Sequence, residues 1–106
     1  MEPALRAMAR CRLGEPRLAL AELLEDYQAS RRFSVRTAIA LALCWAMEGN
    51  LNAALTDLDL AREAVGALYR PGQLSALDWR EFAELVPDAA IKEALRPYFR
   101  TLAPAP

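Results

Sequence analysis

The stretch "CWAMEGNLNAALTDL", residues 44–58, sets a glycine and two asparagines in the middle of an apolar, helix-favouring run. Upstream, "VRTAIALALCWAME" contains no helix breaker. Downstream, Leu51, Ala54, Leu55 and Leu58 recur at helical spacing. A glycine just past a helix end takes up left-handed backbone without a Cβ penalty, and an asparagine after it can cap the next helix. Gly49-Asn50 therefore reads as a tight helix–turn–helix junction, closing a helix over 35–48 and opening one over 51–69.

The same event occurs at Gly14-Glu15-Pro16, where proline suits the first position of a new helix. It separates a helix over 4–13 from one over 17–28, whose Leu20, Leu23, Leu24 and Tyr27 share one side. Ser34 is the N-cap expected for the third helix. "RPGQ" stops the fourth. A fifth helix is expected over 75–86, with Trp79, Phe82, Ala83 and Val86 on one stripe. Pro87 starts a sixth with Ile91, Ala94 and Leu95 inward, and Pro97 kinks it or ends it at Arg96. The expectation is an all-α protein of six helices in three hairpins. One domain covers 1–102, with repeats at about 4–30, 35–69 and 75–102, and 103–106 forms a disordered tail.

The two glycines lie 35 residues apart, and further identities keep that offset: Ala7 with Ala42, Ala19 with Ala54, Leu20 with Leu55, Leu23 with Leu58. Ala89 continues the series, although Glu84 occupies the place of a third turn glycine. The rival reading is an unrelated six-helix bundle with accidental spacing. Caps and breakers recurring together with the apolar pattern favour the repeat.

With Leu41-Ala42 as a large–small pair, Trp45 four residues before the turn glycine, and Ala54 as the small residue of the following helix, the pattern resembles the tetratricopeptide repeat family. The first unit keeps Ala7, Gly14, Ala19 and Leu23 but has Arg10 where Trp45 sits. The family's proline between repeats is missing, with Arg31 and Gly66 in its place. The resemblance implies a right-handed superhelix with a concave groove for a protein ligand. Its groove-facing residues would be Met8, Cys11 and Arg12, then Ile39, Leu43, Ala46 and Met47, then Asp78, Glu81 and Phe82. The carboxylate-gripping subtype is not implied, because Ala4, Met8, Ile39 and Leu43 stand where that clamp needs polar residues.

Composition narrows the function classes. Apolar residues make up 55% of the 106, and the net charge is −1. A packed body follows rather than disorder. Twelve of the thirteen basic residues are arginine, seven of them within residues 6–36. Glu15, Glu22, Glu25 and Asp26 are interleaved with these, which points to an ion-paired surface and away from nucleic acid. There is no histidine, one lysine and three serines outside any nucleophile motif, so no enzyme, cofactor or metal is expected. Cys11 and Cys44 read as small buried hydrophobes in a reducing compartment. The uncharged run 38–47 is half of what a membrane span needs, and the N-terminus has no signal-peptide pattern. A cytoplasmic protein is expected.

Residues 38–47 are apolar on every face, so that helix is either wholly buried or meets a partner on its remaining side. Under the groove reading, an apolar or amphipathic helix of a protein partner fills the trough, as in the small tetratricopeptide chaperones of bacterial type III secretion, which this chain resembles in length and in "LALCW". Leu43→Asp or Met47→Asp would then abolish binding with helicity intact. The chain also resembles the helical repeats of MalT-like, LuxR-type transcriptional activators, which implies effector sensing or self-association. A homodimer is a further way to cover the same face.

Overall fold

The computed structural model describes residues 3–30, 35–68 and 79–102. Six helices succeed one another: α1 (Pro3–Arg12), α2 (Pro16–Ser30), α3 (Val35–Met47), α4 (Leu51–Leu68), α5 (Trp79–Leu85) and α6 (Ala89–Leu102), with no strand among the described residues. The all-α expectation holds. Ser34, Asp78, the start of the fifth helix at Ser75 and the tail lie outside the described residues.

Both glycine junctions adopt the same geometry. Gly14 has φ +78° and Gly49 φ +81°. Glu15 N–H donates to the Arg10 carbonyl at 2.9 Å and Gly14 N–H to Cys11 at 3.0 Å. One hairpin later, Asn50 N–H donates to Trp45 at 2.8 Å and Gly49 N–H to Ala46 at 3.1 Å. These are two Schellman closures, each satisfying carbonyls that the helix end leaves without partners. Asn50 then caps α4, its Oδ1 accepting from Ala53 N–H at 3.0 Å.

The offset of 35 extends to side chains. Arg10 donates to Glu22 across α1 and α2 in two bonds of 2.9 Å. At the corresponding positions of the second hairpin, Trp45 donates to Asp57 across α3 and α4. Ala7, Ala19, Ala42 and Ala54 are all buried, which lets paired helices approach closely. The third unit does not keep this register: Glu84 lies inside α5 rather than at a turn, and Ala89 is exposed, unlike Ala19 and Ala54.

The last hairpin differs from expectation in two further ways. Asp88, not Pro87, sets the start of α6, with Oδ1 accepting from Ala90 N–H at 2.8 Å and Ile91 N–H at 3.2 Å. Helix α6 also continues through Pro97, so of the two expected effects, a kink or an end at Arg96, the end does not occur. Pro97 supplies no N–H for the Glu93 carbonyl. Both residues lie on the exposed side, where water can take the vacated acceptor.

Helix α3 is the centre of the molecule. It packs on α4, α1 and α2, and every residue from Ala38 to Cys44 is at most 5% exposed. A single core runs from Ala4 and Met8 through α3 to Phe82, Val86, Ile91 and Leu95. The radius of gyration, 12.5 Å, matches the roughly 13 Å of a compact chain of about 100 residues. The C-terminal hairpin therefore closes onto the core.

Candidate functional site

The structure corrects the expected groove. Met8 and Cys11 on α1, Ile39, Leu43 and Ala46 on α3, and Phe82 on α5 are each no more than 2% exposed and belong to one core cluster. They are brought together, but as interior. An all-apolar helix can be covered by its own chain or by a partner, and here its own chain covers it. Met47 is half-buried at the end of α3 and packs against the same core. Asp78 lies outside the described residues.

Two of the expected residues stay at the surface and meet each other. Arg12, at the end of α1, donates its Nε to Glu81 of α5, a contact spanning 69 residues of sequence. The pair borders an open cleft of about 470 Å³ lined also by Arg80, Glu84 and Leu85. Arg80 stands 4.0 Å from Glu84, one helical turn away, and both are largely exposed. Next to Arg12, Leu13 is 74% exposed at the Gly14 turn, and Leu18 on the other side of that turn is 45% exposed. Leu13 and Leu18 thus form an apolar rim at the Gly14 turn, and Leu13 follows directly on Arg12, which lines the cleft of mixed charge. The sequence offered a weak signal for it: Leu13 falls outside the apolar face of α1 set by Ala4, Ala7, Met8 and Cys11.

Of the described arginines of the first third, Arg10, Arg12 and Arg17 each face a carboxylate. Arg10 pairs with Glu22 at 2.9 Å and Glu15 at 3.5 Å, and Arg17 reaches Glu48 at 3.4 Å, linking the two hairpin turns. A second shallow cleft, about 330 Å³, is lined by Arg6, Glu22, Glu25, Asp26 and Ala29. Its three carboxylates to one cation make a poor phosphate site.

One relationship escaped sequence reasoning altogether. Cys11 and Cys44, 33 residues apart in the chain, meet across the contact between α1 and α3 with their sulfurs 3.6 Å apart, both thiols free. Among the described residues no cluster of three or more histidine, cysteine, aspartate or glutamate side chains could hold a metal ion. None of the described helices is long and apolar enough to cross a membrane. The chain matches no protein-family model, no curated protein and no solved structure.

Proposed function

We propose that this chain is a non-enzymatic protein-interaction module of tetratricopeptide type, an adaptor or chaperone working in the cytoplasm. The observation that carries this reading is the repetition of one hairpin at an offset of 35: two Schellman turns at Gly14 and Gly49, and two donor–carboxylate bonds, Arg10 to Glu22 and Trp45 to Asp57. Stacked hairpins of this kind spend their sequence on a rigid frame and present ligands with a surface rather than a reactive pocket.

The partner docks at the rim and not in an apolar trough. An amphipathic helix of the partner rests its apolar side on Leu13 and Leu18 and sets its charges against Arg80 and Glu84. Affinity-tagged chain from its native cells, with captured proteins identified by mass spectrometry, tests this. Leu13→Asp with Leu18→Asp should lose the partner at unchanged helicity, while Leu60→Asp, an exposed leucine on α4, should retain it. A partner that survives the double substitution counts against the rim. A stable homodimer carrying no other protein would put self-association in place of the adaptor role.

A further inference from the structure

The buried thiols of Cys11 and Cys44 take no part in the proposed docking surface, yet the structure brings these two nucleophilic side chains into contact. Cys11 lies in the last turn of α1, 1% exposed, and Cys44 in the last turn of α3, fully buried. Their sulfurs stand 3.6 Å apart, and a disulfide bond is about 2.05 Å long, so the two atoms need to close by roughly 1.5 Å. Ala7 and Ala40 each precede one of the two cysteines by one helical turn, and both are small and buried.

We propose that Cys11 and Cys44 are a modification site: a hydroperoxide converts them to a disulfide that staples α1 to α3. The oxidant must be small, since neither sulfur is open to a bulky disulfide, and hydrogen peroxide has only two heavy atoms. The Cys11 thiolate attacks one peroxide oxygen. The O–O bond breaks, leaving a sulfenic acid and a hydroxide that takes up the proton Cys11 released. The Cys44 sulfur then attacks the sulfenic sulfur. The S–O bond breaks, and the departing hydroxide takes the Cys44 proton. Two thiols are oxidised and one peroxide is reduced to two waters.

Cys11 is the attacking sulfur. A hydrogen bond from Cys44 and the charge of Arg12 hold its thiol below the usual value against the opposing effect of burial. That same bond, together with burial, pushes the Cys44 thiol up. A thiolate at Cys11 and a thiol at Cys44 is the division of labour that the sequence of steps requires.

Hydrogen peroxide added to the full chain, followed by tryptic digestion without reductant, is the test. The dipeptide Cys11-Arg12 should appear joined to residues 37–62. The oxidised protein should melt higher by about 10 °C, because the bond removes freedom from the unfolded chain. Dithiothreitol should reverse both. With Cys44→Ala, Cys11 should gain oxygen only and the melting temperature should not rise. The proposal is overturned if wild-type Cys11 goes to sulfinic acid without the linked peptide, or if linkage lowers the melting temperature. It is equally overturned if both thiols survive peroxide that oxidises free cysteine.

Discussion

Trp45 holds Asp57 of the adjoining helix through its indole N–H, and the half-buried carboxylate still titrates at about 6, well above its ordinary 3.8. Burial is the larger influence and raises the value, while the hydrogen bond from Trp45 pulls it back only in part. One hairpin earlier, Glu22 occupies the same place but accepts two bonds from a cation, Arg10. The two repeats thus solve one problem, a carboxylate between paired helices, with a neutral donor in one case and a charged donor in the other.

A stability consequence follows for Asp57. Its folded-state pKa is raised, so the fold binds the proton more tightly than the unfolded chain does. The contribution is fully present below about pH 4 and is lost as pH rises through about 6. The full shift would correspond to roughly 3 kcal/mol, but half-exposure screens it to about 1 kcal/mol. Asp57→Asn, which keeps an acceptor for Trp45, should raise stability by about 1 kcal/mol at pH 7 and leave it unchanged at pH 4. Urea melts at the two pH values check this, and a loss at pH 7 would contradict it.

The two turn glycines are equivalent tests of backbone strain. A Cβ built on either meets nothing within 4 Å, so no steric clash contributes. What remains is the left-handed φ, which costs a non-glycine residue about 1 kcal/mol. Gly14→Ala and Gly49→Ala should each lower the urea midpoint by that amount with the slope unchanged, and the double variant should lose about 2 kcal/mol. Asparagine at either site should cost less than alanine.

Much of this was legible because caps, breakers and helical period act over a few residues. Gly14, Gly49 and Asn50 announce their turns locally, and the buried stripe Ala54–Leu58 declares itself by spacing. What covers α3 is not a local matter. Its apolar surface looks the same in sequence whether the helices of its own chain or some foreign helix complete the core around it. The Cys11–Cys44 contact was invisible for a related reason: the pair is offset by 33 rather than 35, so repeat arithmetic does not align them. Arg10 appeared to break the repeat because its side chain differs from Trp45, whereas the retained property is donation to a carboxylate. At the start of α6, Pro87 was the conspicuous signal, but the cap belongs to its neighbour Asp88.

Leu43 separates a core from a groove most cleanly. Fully buried, it should lose about 3 kcal/mol on truncation to alanine, from transfer and the cavity left behind. Leu43→Asp would bury an unpaired charge at a cost comparable to the 5–15 kcal/mol that typically stabilises a whole domain. Circular dichroism should show the aspartate variant unfolded at pH 7. A groove residue would instead leave helicity intact, and that result would restore an open trough beside α3.

The Arg10–Glu22 pair should respond to salt where its counterpart does not. Both side chains are about one-third exposed, so the two-bond pair is partly screened, and a double-mutant cycle with Arg10→Gln and Glu22→Gln should give a coupling of about 0.5–1 kcal/mol. Raising the ionic strength from about 0.01 M to about 1 M shortens the screening length from roughly 30 Å to 3 Å and should remove much of that coupling. The cycle for Trp45→Phe and Asp57→Asn should be nearly insensitive to salt, because a neutral indole donates there. Equal salt dependence in the two cycles would contradict this division between a charged and a neutral donor.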